Sequence, residues 1–162
     1  MMHAKAMDED FAMEAVEGRD MTKPFGMLIG HSTMKNLIAD FIVTGEQGFS
    51  FTGGPVLEVI PASEEHPEIL HILLAFDQDE ILDAAWLTAE VGSYEALEAE
   101  LAATMELINR NEPVRGNRSA AYRHPNGIIE MHSAIFSQEM TIGYSTDKFQ
   151  KAKMEKSSQI YE

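Results

Sequence analysis

The chain contains no cysteine. That excludes disulfides, thiol catalysis and thiolate metal sites at once, so the fold must be held by packing and hydrogen bonds. It is also short of cations: 12 lysines and arginines stand against 27 acids, a net charge of −15 with histidine neutral. A surface of that sign repels phosphate backbones, and nucleic acid is not expected as a partner. No apolar run approaches the roughly 20 residues that a membrane-spanning helix requires. The acidic N-terminal stretch lacks a basic segment followed by an apolar core, so no signal peptide is expected. A soluble, cytoplasmic protein with no membrane contact is the resulting expectation.

Signatures of chemistry are missing as well. No Gly-x-Ser-x-Gly occurs, and Gly30-His31-Ser32 opens a predicted helix with no strained elbow. Thr52-Gly53-Gly54-Pro55 carries two glycines, but proline follows where a phosphate loop needs a helix N-terminus, which leaves a turn. None of the six histidines forms His-x-x-x-His. Glu68 and His71 have Glu-x-x-His spacing at the start of a predicted strand, where that spacing sends them to opposite faces. His71 and His132 would share a site with Glu130 only if their strands were neighbours. Asp77, Asp79 and Asp83 lack the glycine and the terminal glutamate of a calcium loop. Glu58 and Glu130 are the strand carboxylates that acid–base hydrolysis would call on. No cofactor and no metal are expected.

What is present is enough for one domain: 162 residues, of which 44% are hydrophobic. Charge is uneven. Residues 1–112 hold 22 acids and 5 bases, net −17, whereas residues 113–162 hold 5 acids and 7 bases, net +2. Residues 1–24 read as a flexible acidic arm that can dock on the domain or a partner through Phe11 and Met13. Residues 25–162 read as a single α+β domain.

Within that domain Met27, Leu28, Met34, Leu37, Ile38, Phe41 and Ile42 fit one helical face between Met27 and Val43, with Ser32 as cap and Gly45 and Gly48 as the stop. Three strand-like segments follow: Phe49 to Ile60, Ile69 to Phe76 and Ile81 to Val91. Ser93 caps a second helix reaching Asn109, in which Tyr94, Leu97, Leu101, Met105 and Ile108 recur at helical spacing. Asn126-Gly127, with the positive φ that such a pair supplies, predicts a hairpin joining 119–123 to 128–136. A last helix is predicted over 146–158. The expected order is α-β-β-β-α-β-β-α, an antiparallel sheet covered by helices.

Leu107-Ile108-Asn109-Arg110-Asn111, Ser119-Ala120-Ala121-Tyr122-Arg123, Asn126-Gly127-Ile128-Ile129-Glu130 and Phe149 fall in the order helix, hairpin, closing helix. In that order, over roughly residues 27–158, the chain resembles the type III secretion chaperones of the Tir-chaperone class and the related YbjN-like proteins. The resemblance implies a non-enzymatic protein-binding domain, homodimeric, that holds an extended segment of a client protein. It places client contacts at Met34, Leu37, Ile38, Phe41, Val56 and Leu57, and the dimer interface at Leu97, Leu101, Met105 and Ile108. A YbjN-like regulatory or stress protein without an exported client is one alternative. A small hydrolase-type enzyme using Glu58, Glu130 or His132 is the other.

Overall fold

Segments in which apolar residues alternate with polar or exposed ones recur along this chain, and they assemble into one sheet. The computed structural model describes residues 21–62, 67–112, 116–134 and 136–161. Among them an eight-stranded antiparallel sheet is formed by β1 (Phe41–Phe49), β2 (Gly53–Pro61), β3 (Ile69–Asp77), β4 (Leu82–Glu90), β5 (Glu106–Asn111), β6 (Arg118–His124), β7 (Gly127–Ser133) and β8 (Glu139–Thr146). Helices are few: α1 (Met34–Leu37), α2 (Tyr94–Thr104), α3 (Asp147–Tyr161) and some single 3-10 turns. The spatial order is β1-β2-β3-β4-β8-β7-β6-β5. Two meanders of four strands therefore meet at β4 and β8, and α2 carries the chain from the centre to the far edge. Among the described residues β1 and β5 are the edges of the sheet.

The core lies on one face. Val59, Ile72, Leu74, Leu87, Tyr122, Ile129, Met131, Met140, Ile142 and Tyr144 project there and are almost fully buried. The segment bearing Met21, Met27, Ile29, Leu37 and Phe41 covers this face together with Tyr94, Leu97 and Leu101 of α2. Each fully buried leucine or isoleucine stabilises the fold by about 1.5–3 kcal/mol. On the other face Ala75, Ala84 and Phe149 form a small second cluster with Val56 and Trp86. Among the described residues no helix is long and apolar enough to cross a membrane.

The expected α+β order is corrected by this topology. The protein is predominantly β, with the order β-β-β-β-α-β-β-β-β-α after the short α1. The helix expected from Met27 to Val43 shrinks to α1 and a 3-10 turn at Ile38–Asp40, with Thr33 rather than Ser32 as its cap. Phe41-Ile42-Val43-Thr44 then extends as β1, because β-branched and aromatic side chains suit a pleated surface and β2 supplies the partner. The second helix stops at Thr104, five residues before the expected end, and Leu107 to Asn111 pair with β6 instead. β8 lies where the sequence reading assigned no element, between the hairpin and the last helix. Its Met140, Ile142 and Tyr144 all face the core.

The hairpin is where it was expected, for a different reason. Neither Asn126 nor Gly127 adopts a positive φ. A Cβ at Gly127 would instead collide with the Ser145 carbonyl of β8, so glycine is required by close backbone approach.

Residues 1–20 of the expected arm lie outside the described residues, but Met21 and Pro24, which belong to that expected arm, are buried. Three polar contacts tie residues 21–29 to the sheet and its β6–β7 turn. The Tyr144 hydroxyl donates to the Met21 carbonyl at 2.6 Å, and the Asn126 amide donates to the Ile29 carbonyl at 3.1 Å. His124 Nδ1 accepts from the Asn126 N–H at 3.0 Å, which leaves Nε2 to carry the proton and donate to the Thr22 carbonyl at 3.3 Å.

Burial holds the His124 ring below the usual imidazole value of 6.5, outweighing the Thr22 carbonyl, which favours the charged form. The folded-state value is the lower one. Its stabilising contribution is therefore complete above 6.5 and is lost as pH falls from 6.5 towards the folded-state value. Unfolding free energy followed from about pH 8 to about pH 5 should decline on the acid side, and His124→Gln should flatten that decline. An unchanged slope in the variant would remove His124 as its cause.

Candidate functional site

The β1–β2 turn is tightly held, and it presents phenylalanines. Ser50 N–H donates to the Gly54 carbonyl at 2.8 Å, and the Ser50 hydroxyl donates to the Phe76 carbonyl at 2.5 Å. Thr52 N–H closes the turn on the Ser50 hydroxyl oxygen at 3.2 Å. Phe49 and Phe51 flank this turn and are 80% and 44% exposed. Phenyl rings at a turn surrounded by serine, threonine and glycine are not placed there by core packing, since Phe49 meets mostly water.

Opposite the turn, α3 is anchored by its first residues. The Thr146 hydroxyl accepts the Phe149 N–H at 3.0 Å and donates to Asp83 at 3.2 Å, which makes Thr146 the N-cap. Lys148 Nζ meets Asp77 Oδ2 at 2.9 Å, and Arg123 binds Asp147 through two hydrogen bonds of 2.7 and 3.1 Å. Burial pushes the Asp77 carboxyl upward, but N–H donation from Ile81, the Lys148 ammonium and the Asp79 N–H together hold it below the usual carboxylate range. Phe149 is 2% exposed and makes edge contacts with Phe51 at 5.5 Å and Trp86 at 5.6 Å. Beyond it, Lys151, Lys153, Met154 and Lys156 are exposed, and the three lysines form no ion pair among the described residues.

Between the turn and α3 lies a groove of about 380 Å³. Val56, Ala75 and Trp86 of the sheet line it, with Phe51 and Phe149 on either side and Phe49, Ser50 and Lys156 completing it. There is room for one or two large apolar side chains. Trp86 reaches it past Gly143, where a Cβ would stand 3.3 Å from the indole. The free edge of β1 leads up to it, with Ile42 and Val43 about half exposed. The groove is apolar with one cation, Lys156. Its single hydroxyl, Ser50, is already committed to a carbonyl, and neither imidazole nor carboxylate lines it. Such a lining suits apolar contact with a large side chain.

Of the residues expected to meet a client, Val56 alone lines this groove. Leu37, Phe41 and Leu57 are buried in the core, Met34 packs against it, and Ile38 is exposed on the 3-10 turn after α1. Of the expected dimer residues, Leu97 and Leu101 are core, Met105 packs against the core, and Ile108 stands half exposed on the β5 edge. Those helical spacings marked packing against the sheet rather than an outer face.

His71 and His132 do share one face and one cross-strand row, His71–Thr88–Thr141–His132. Two strands stand between them, however, and three strand spacings amount to about 14 Å. Among the described residues no group of three or more histidines or carboxylates is placed to hold a metal ion. Glu58 is engaged in holding β1, accepting from Thr44 at 3.2 Å and Gln47 at 2.7 Å.

A second polar cluster joins α2 to the β5 edge. Arg118 lies 3.9 Å over the Tyr94 ring and pairs with Glu95 at 2.7 Å, while Arg110 lies 3.6 Å from Glu98. Burial and the neighbouring Glu112 raise the Glu98 carboxyl. Burial, with Glu98 adding to it, pushes the Tyr94 phenol up to about 12. These groups hold helix to sheet.

The residues that sequence reasoning missed are Phe49, Phe51, Trp86, Phe149 and Lys156. A signal existed for two of them: Phe49-Ser50-Phe51 adjoins a Gly-Gly-Pro turn, where large apolar side chains are out of place. Comparison with known proteins finds no matching family model, no matching curated protein and no matching solved structure.

Proposed function

We propose that the protein is a non-enzymatic binding domain that holds an extended segment of a client protein along β1, with an apolar side chain seated in the aromatic groove. One observation carries this reading: two exposed phenylalanines at a hydrogen-bonded turn open onto an apolar groove at the end of a strand whose outer edge has no partner among the described residues. An added strand would pair its main chain with β1, and every second side chain would face the groove side. Lys153 and Lys156 favour a client with acidic residues beside its apolar anchor. A cytoplasmic setting belongs to the same proposal.

The secretion-chaperone assignment enters only as far as client holding. The helix–hairpin–helix order that suggested it is not the order in the fold. The expected homodimer likewise rests on the β5 edge, because Leu97 and Leu101 are inside the protein.

A peptide-display selection on the purified full chain tests the reading. Selected peptides should combine an aromatic or branched aliphatic residue with Asp or Glu. Phe49→Asp should weaken their binding by about tenfold or more and leave the melting temperature unchanged, since Phe49 is 80% exposed. Peptides without that composition, or retained affinity in the variant, would count against the groove as the binding site.

A further inference from the structure

A second copy of the chain carries an occupant for the groove. Phe136, in the turn between β7 and β8, is 96% exposed and has a φ of 63°, in the left-handed region that bulky residues seldom enter. The turn fixes it there. Ser137 N–H donates to the Ala134 carbonyl at 3.1 Å, the Ser137 hydroxyl oxygen accepts the Glu139 N–H at 3.1 Å, and Val91 N–H donates to the Gln138 carbonyl at 2.9 Å. Glycine or asparagine would adopt this backbone at lower cost, and a polar side chain would meet water more favourably. Folding therefore does not account for a phenylalanine at this position.

Carboxylates accompany it. Glu139 of β8 stands directly opposite Glu90 of β4, both are exposed, and neither forms an ion pair among the described residues. Like charges facing each other across two strands are unfavourable, and a cation from outside relieves them. Such cations stand beside the groove. Past Phe149, α3 carries exposed Lys151, Lys153 and Lys156 against one acid, Glu155, and Lys156 lines the groove itself. The two surfaces match in kind: an aromatic ring beside two carboxylates, and an apolar groove beside lysines.

The match cannot be made within one copy. Glu90–Glu139 is the last pair of β4 with β8, and Trp86 stands four residues before Glu90, about 13 Å along the strand. Phe136 lies past that last pair, on the far side from the groove. We infer that Phe136 of one copy seats in the aromatic groove of another when no client is present, so that self-association closes the client site. Two different surfaces meet in this contact, and neither Ile108 nor the β5 edge takes part. Repulsion between chains of net charge −15 is screened over about 8 Å at physiological ionic strength, which leaves the charges at the contact to decide. This rests on the proposed client-binding role of the groove and adds its regulation.

Sedimentation of the full chain, read together with the fluorescence of Trp86, provides the test, since Trp86 is the only tryptophan and lines the groove. Over a dilution series association should fall and Trp86 emission should shift to the red in step. Phe136→Asn should weaken self-association by about tenfold or more. It should hold or raise the melting temperature, because asparagine accepts a positive φ. That variant keeps its groove and Phe49→Asp keeps its Phe136, so mixing the two should restore association that neither shows alone. A monomer at every concentration, association indifferent to Phe136→Asn, or no recovery on mixing would overturn the inference. Failure here leaves the client reading to its own test, because selected peptides bind or miss the open groove of Phe136→Asn whether or not copies associate.

Discussion

Gly127→Ala is expected to destabilise the protein by about 3 kcal/mol or more, a large effect for one methyl group. Gly127 opens β7 opposite Thr146 of β8. An added Cβ would overlap the Ser145 carbonyl oxygen and lie 2.8 Å from both the Ser145 carbonyl carbon and the Thr146 Cα. Each of these is backbone, so no side chain can swing aside to relieve the contact. β8 would have to move, and β8 is the strand that joins the two meanders while Thr146 caps α3. Denaturant unfolding measures the outcome as a lower midpoint. Full stability in the alanine variant would show that the strands are farther apart than described.

Phe149→Ala is expected to cost about 3–5 kcal/mol, the usual range for a fully buried phenylalanine, and to release α3. Among the described side chains of α3, Phe149 is the only buried one, at 2% exposure. It holds the helix to Ala75, Ala84 and Trp86 and supports Phe51 from the side. Isolated helices of this length are marginal in water, since most helical stability comes from tertiary packing. Hydrogen exchange in the variant should therefore show amides beyond Gln150 losing protection while β3, β7 and β8 keep theirs. Met154→Ala on the same helix, at a position 69% exposed, should change stability by less than about 0.5 kcal/mol. Unaltered protection of α3 in Phe149→Ala would place its anchor elsewhere, and the groove would lose the wall that Phe149 supplies.

The strands that could be read from the residues are those with one face in the core. β2, β3, β4, β6 and β7 coincide with segments expected to be extended, because burial on one side imposes a period of two and Gly, Pro, Asn and Asp mark their ends. β8, to which no element was assigned, carries the same alternation in Met140, Ile142 and Tyr144 and was legible by the same rule. β1 and β5 are different. As edge strands they are exposed almost throughout, so no alternation is imposed on them. Phe41-Ile42 and Leu107-Ile108 then extend apparent helical patterns that begin upstream, in α1 and α2.

The candidate site was legible only in part, through Val56. Phe49, Phe51, Trp86, Phe149 and Lys156 come from the β1–β2 hairpin, β4 and α3, and no spacing along the chain connects them.

Composition and periodicity alone determined that this is a cysteine-free, strongly acidic chain built on antiparallel strands, with its cations gathered towards the C-terminal end. Those properties are local or additive, and neighbouring residues suffice to express them. Tertiary structure alone decided that the two meanders join at β4 and β8, that helix-spaced Leu97 and Leu101 turn inward, and that four aromatic residues meet beside a free edge. Each of these depends on which strand lies next to which. That choice is made by packing between residues far apart in sequence, where local preference has no say.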